Sequence, residues 1–225
     1  MKEYAIIVAG GKGMRMKHSI PKQFIVLEGL PILMHTLLAF YHYSKETAIY
    51  LGLPQEEFDR WNKLCAAYHF EVPFTLVSGG NSRFQTVKNC LHAIPDKKGI
   101  VAVHDGVRPL VDNALIGRAY QEAKRNHSAV ASLPLKESLR KIDHTTSRSV
   151  DRAQFVTIQT PQTFDLEKLK QAYTIAEQSW MTDDASVFEA AGFPIILING
   201  SYRNIKVTTP DDLTVAQSFL RNNNM

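Results

Sequence analysis

Ala5-Ile6-Ile7-Val8-Ala9-Gly10-Gly11-Lys12-Gly13-Met14-Arg15-Met16, followed at short distance by Pro21-Lys22-Gln23, decides how the rest of the chain is read. An apolar run of strand length breaks into three glycines and then sets an Arg and a Lys seven residues apart. Glycines let a backbone approach a ligand and donate N–H groups to phosphate oxygens, and the two cations can neutralise the charge on them. Two familiar phosphate loops do not fit. A P-loop needs GxxxxGK[ST], whereas Gly11 and Gly13 lead into Met14-Arg15. A dinucleotide loop needs GxGxxG and an acidic ribose ligand, whereas Met16 stands in the third glycine's place and the second expected strand ends in Leu53-Pro54.

Outward from that turn, strand-length apolar runs recur at residues 4–9, 48–53, 74–77, 100–104, 129–135 and 195–198. Helical patterns at 55–69, 82–94 and 113–126 separate them; in the second, Phe84, Val87, Leu91 and Ile94 share one face. Such alternation predicts right-handed βαβ units, hence an α/β fold: one Rossmann-like, mostly parallel twisted sheet with helices on both faces. Ligands of such sheets lie beyond the carboxyl ends of the strands, where residues 10–15, 78–81 and 105–108 fall together.

Residues 133–159 break the rhythm. Residues 138–143 alternate with period two, 144–147 are turn-like and 149–158 favour strand again. The reading is a protruding β-hairpin arm at about 136–156, whose edges a monomer would leave unprotected, so pairing into a homodimer is expected. Thr209-Pro210-Asp211-Asp212 predicts a capped helix start, and Asn222 to Asn224 a frayed end.

With 225 residues, 44% of them hydrophobic, the chain suits a single domain over 1–225. The formal charge of +4 comes from 26 scattered basic residues. That favours an anionic small molecule over a nucleic-acid groove, which needs a basic stripe. Cys65 and Cys90 lie in helical patterns without metal-ligand spacing and read as buried thiols of a reducing compartment. No leader and no apolar run near the ~20 residues of a membrane span is present, so the expectation is a cytoplasmic protein without a membrane partner.

Seven motifs in order now carry a resemblance: AGGKGMRM with PKQ, GGNSRFQTV at 79–87, HDGVRP at 104–109, VDR at 150–152, TPQ at 160–162, TDDAS at 182–186 and NIKVTTPDDL at 204–213. The chain resembles the 2-C-methyl-D-erythritol 4-phosphate cytidylyltransferases of the non-mevalonate isoprenoid pathway over essentially its whole length. The resemblance implies that a phosphate oxygen of methylerythritol phosphate attacks the α-phosphorus of CTP, with pyrophosphate leaving and Mg²⁺ as divalent cofactor. It makes Arg15 and Lys22 the stabilisers of the transition state, and Arg152 and Lys206 the residues that hold the acceptor phosphate, Arg152 coming from the partner subunit. Ala9, Gly10, Gly11, Gly13, Gly80, Asn81, Thr86, Asp105 and Gly106 become the nucleotide site; Asp105, Arg108, Ser138, Thr160 and Thr182 join Arg152 and Lys206 on the acceptor. Asp105 could hold the metal or accept from a substrate hydroxyl. His104 reads as a packing residue, because the nucleophile is already an anion. Many relatives carry an acid at Asn81, Ser at Thr86 and Thr at Ser138. The rival readings are a ribitol 5-phosphate cytidylyltransferase and a non-catalytic nucleotide-binding module of the same fold; retention of both Arg15 and Lys22 speaks against the second.

Overall fold

The computed structural model describes residues 1–11 and 20–221; residues 12–19 and 222–225, with Gly13, Arg15 and the expected frayed tail, lie outside that description. Its frame is a seven-stranded sheet. The first strand, β1 (Glu3–Val8), sits inside it, paired in parallel with β4 (Ala48–Leu53) on one side and β6 (Ile100–Asp105) on the other. Strand β5 (Thr75–Ser78) extends the sheet beyond β4. Past β6 come β10 (Val156–Asp165), β7 (Ser128–Pro134) and β11 (Leu197–Asn199) in that order. Only β10 runs against the rest, antiparallel to both β6 and β7.

The apolar runs are continuous because both faces of the sheet are covered. Ala5 and Ile7 of β1 face helices α1 (Ile32–Tyr43), α2 (Phe58–Ala67) and α4 (Asn113–Asn126), packing with Leu33, Phe40, Trp61, Ile116 and Tyr120. Tyr4 and Ile6 face the opposite way, toward α3 (Arg83–Ala93), α5 (Leu166–Ala172) and α6 (Asp184–Ala190), with Phe84, Leu91, Phe164 and Phe188. A third cluster joins the small hairpin β2–β3 (Val26–Leu27 and Leu30–Pro31) to α7 (Pro210–Arg221) through Leu27, Val107, Val207 and Ala216. The start of α7 is the reciprocal box expected: Asp212 accepts from Thr209 N at 2.8 Å while its own N–H donates to Thr209 Oγ1 at 3.3 Å.

Two local expectations need correcting. The helix read at 55–69 is a short 3₁₀ turn, Gln55–Glu57, running into α2. The strand read at 149–158 is three pieces: the end of β9 (Thr146–Val150), a 3₁₀ turn at Arg152–Gln154 and the start of β10. The arm itself is β8 (Leu139–Asp143) paired with β9 as a separate two-stranded ribbon. Its residues are almost all exposed, Ile142 by 77%. Both cysteines are free thiols, Cys90 buried and Cys65 half-buried. Among the described residues no helix is long and apolar enough to cross a membrane.

Candidate active site

The carboxyl ends of β1, β4, β5 and β6 open into a cavity of about 860 Å³, within the usual range for a small-molecule site. The glycine turn after β1, the loop after β5 and the end of β6 meet there, as the sheet topology requires. Each loop leaves its strand by one more ladder bond: Ala9 N to Gly52 O at 2.9 Å, Gly79 N to Leu53 O at 2.8 Å and Gly106 N to Val8 O at 2.9 Å. Gln23, nearly fully buried beside Lys22, donates from Nε2 to Ala9 O at 2.8 Å and so ties the Pro-Lys-Gln turn to the glycine turn.

The loop after β5 is built around Thr86. Its hydroxyl accepts from Gly80 N at 3.1 Å and donates to Ser82 O at 2.9 Å, while Ser82 caps α3 by accepting from Gln85 N at 3.0 Å. Gly80 must be glycine here, since a Cβ would lie 2.3 Å from that of Gln85. Asn81 stands exposed on the cavity wall.

Asp105 is the electrostatic centre. Lys206 Nζ lies 3.0 Å from its Oδ2 and Arg108 Nε 3.4 Å from the same oxygen, while Arg83 Nε is 3.7 Å from Oδ1. Burial works to raise the Asp105 pKa, but Arg83, Lys206 and Arg108 together outweigh it and hold the carboxyl ionised, well below the usual carboxylate range. The loop carrying Lys206 is fixed to the turn that follows Asp105 by Val207 N to Val107 O at 2.9 Å and by Arg108 Nη1 to Asn204 O at 2.8 Å. Asn204 in turn donates to Thr160 O at 2.7 Å, and Thr160 Oγ1 accepts from Asp105 N at 3.1 Å. His104 is fully buried, edge-on to Phe40 and bonded through Nε2 to Arg108 O at 3.2 Å, and burial pushes its pKa down to about 4. It packs, as expected, and does not line this cavity.

Of the residues singled out from sequence, Ala9, Gly10, Gly11, Lys22, Gly80, Asn81, Thr86, Asp105 and Lys206 line this one cavity. Gly106, Arg108 and Thr160 lie behind its wall, supporting Asp105. Gly106 is close-packed: a Cβ would meet that of Ala9 at 3.1 Å and Leu33 at 3.0 Å. Ser138, Arg152 and Thr182 are exposed and away from the cavity; the Arg152 guanidinium donates to Lys136 O at the foot of the arm. Sequence reading missed Arg83 and Asp184. Arg83 lines the cavity and pairs with the fully buried Asp184 at 2.6 Å. Its place directly after the Gly-Gly-Asn-Ser turn was a usable signal, but its partner is 101 residues away and left none.

No group of three or more His, Cys, Asp or Glu side chains gathers among the described residues. Asp105 stands ionised on the wall of a cavity that Glu56 also lines, and one such carboxylate fits a Mg²⁺ ion that completes its shell with phosphate oxygens and water.

Comparison with known proteins follows the same line. The family description 2-C-methyl-D-erythritol 4-phosphate cytidylyltransferase matches residues 4–222. A protein of that name from Bacteroides thetaiotaomicron is 45% identical over 220 residues, covering 98% of this chain and all of its own. The Thermus thermophilus crystal structure of the same name superposes with a TM-score of 0.77 at 29% identity, covering 98% of this chain and 100% of its own. A 4-diphosphocytidyl-2C-methyl-D-erythritol synthase from Anaerococcus prevotii reaches a TM-score of 0.83 at 26% identity, covering 97% and 95%.

Proposed function

This chain belongs to the 2-C-methyl-D-erythritol 4-phosphate cytidylyltransferase family, and from that premise we propose how its residues transfer a cytidylyl group from CTP to methylerythritol phosphate. The reaction forms the CDP-methylerythritol intermediate of isoprenoid precursor synthesis and releases pyrophosphate. The observation that carries the residue assignment is the meeting of Lys22, Asp105, Lys206 and the loops of Gly10 and Gly80 on one cavity wall.

The reaction joins two anions, so the protein's task is to position them and to offset their charge. Backbone groups of Ala9, Gly10, Gly11 and Gly80, with Asn81, hold the nucleotide, and Thr86 keeps Gly80 in place. Lys22, with Arg15 and Gly13, draws in the triphosphate and offsets the charge that grows as the α-phosphorus is attacked. Lys206 holds the acceptor phosphate, kept in register by Asp105, Arg108 and Thr160. Asp105 would also hold a Mg²⁺ ion, which supplies charge neutralisation across the triphosphate oxygens.

Arg152 of the partner subunit completes the acceptor site from across a dimer, and the hydroxyls of Ser138 and Thr182 add to it: the two-stranded arm, with Ile142 exposed on it, gains cover from a second subunit, and Arg152 stands at its foot. The enzyme is read as one domain over residues 1–225, with its arm at about 136–156, working in the cytoplasm. The test is pyrophosphate release with CTP and methylerythritol phosphate, run beside ribitol 5-phosphate and beside UTP and ATP. Faster turnover with another acceptor or nucleotide overturns the substrate assignment, and chelation of divalent cations is expected to stop the reaction.

A further inference from the structure

Resting on the reading of Asp105 as a working carboxylate of the cavity, we infer that Asp184 and Tyr173 are a positioning pair for the transfer, acting through Arg83. Asp184 is fully buried and both its oxygens are taken: Tyr173 donates to Oδ1 at 2.6 Å and Arg83 Nη2 to Oδ2 at 2.6 Å. It can touch no substrate. A buried ion pair is a poor device for stability alone, since apolar side chains of like volume hold a fold as well. What it supplies is direction.

Arg83 begins α3, so its backbone is fixed by the Ser82 cap. Asp184 begins α6, whose start is pinned to β10: Gln162 Nε2 donates to Asp183 Oδ2 at 2.9 Å and its Oε1 accepts from Ala185 N at 2.8 Å. Strand β10 also carries Thr160, which holds Asp105 N. The guanidinium is therefore stretched between two carboxylates on one rigid frame, tight on Asp184 and 3.7 Å from Asp105 Oδ1. Lys206 and Arg108 share the other oxygen, Oδ2, which leaves Oδ1 the longer, looser ion pair with Arg83. Released from Asp184, the guanidinium would close from 3.7 Å to hydrogen-bond distance on Oδ1 and withdraw that oxygen from the substrates. Asp184 and Tyr173 hold Arg83 back.

The experiment is a set of cycles among Asp184→Asn, Tyr173→Phe and Asp105→Asn, reading kcat, both KM values, CTP affinity by calorimetry and melting temperature. Asp184→Asn is expected to lower kcat roughly 30–100-fold and Tyr173→Phe roughly 3–10-fold, with CTP affinity within about threefold, the pattern of lost positioning. On the Asp105→Asn background either change should cost at most about threefold more, because the two act through Asp105. Fully additive losses of kcat on that background, or a lowered melting temperature with unchanged kcat, overturn the inference. Wild-type kcat in Asp105→Asn overturns instead the reading beneath it. Should Asp184→Asn not fold, the Tyr173→Phe cycle decides by the same criteria.

Discussion

At the scale of the residue, the cavity depends on groups that never face a ligand. Gly52, next to last in β4, is one: a Cβ there would stand 2.6 Å from Thr86 Cγ2 and 3.0 Å from Cys90 Sγ. Gly52→Ala should overpack this spot, cost about 1–3 kcal/mol and push Thr86 off Gly80, raising KM for CTP. Adding Thr86→Ser removes the Cγ2 and keeps the hydroxyl, so the double variant should melt higher than Gly52→Ala alone. A double variant that melts lower refutes the packing argument. His104 gives a pH signature. Its folded pKa lies near 4 against 6.5 free, so the unfolded chain takes up the proton first as pH falls. The stability this neutral side chain contributes is complete above pH 6.5 and shrinks as pH drops toward 4, by about 3 kcal/mol. Melting curves of the wild type and His104→Gln over that window should converge as pH falls. Lys22→Ala should lower kcat roughly 10²–10³-fold with the melting temperature little changed, the scale for one preorganised charge-stabilising donor. The sequence made Lys22, Asp105 and Lys206 legible because each sits in a local motif. It hid Asp184, whose role exists only through a contact made by folding.

At the scale of the element, the parallel strands were legible because burial on both faces makes them continuous apolar runs. Strand β10 was not. Gln159, Thr160, Gln162 and Thr163 are all buried in it, and Pro161 argues against a central strand. The sheet accepts them for two reasons. The pairing with β7 shifts register between Ile158 and Gln162, so the proline falls where no ladder bond is needed, and the side chains of Gln159, Thr160 and Gln162, though not the Thr163 hydroxyl, bond to Ser201, Asn204, Asp183 and Asp105. Pro161 thus marks the irregularity that turns polar side chains toward the site. The arm was legible from its period-two pattern, but its end was misread because β9 and β10 are both strand-like and only a 3₁₀ turn divides them. Because Arg152 bonds to Lys136 O, the two feet of the arm are adjacent. Replacing residues 138–150 by two glycines should leave the seven-stranded sheet intact by circular dichroism while lowering the solution mass to that of a monomer and abolishing turnover. A shortened chain that stays dimeric by light scattering would mean that the arm is not the dimer contact.

At the scale of the whole molecule, the described chain holds an incomplete set of proposed site residues. Lys22 and Lys206 line the cavity, while Arg152 stands exposed at the foot of the arm, outside it. In the proposed two-fold dimer each arm would serve the other protomer's cavity, and that arrangement has a genetic consequence. Consider a heterodimer of Arg152→Ala with Lys22→Ala, each parent nearly inactive as a homodimer. The cavity of the Arg152→Ala chain keeps its own Lys22 and receives an unaltered Arg152 from the partner subunit, so it works. The cavity of the Lys22→Ala chain lacks both groups and is dead. A purified heterodimer should therefore show about half of wild-type kcat per dimer, and random exchange of the two parents about a quarter, since half of the dimers are mixed. Differently tagged chains, co-expressed and purified over both tags, give the heterodimer without relying on exchange. The KM values of the surviving site should match the wild type, because nothing in that site has changed. A heterodimer as inactive as its parents places Arg152 in its own subunit's chemistry, or in none, and removes the reason for reading the arm as part of the partner's site.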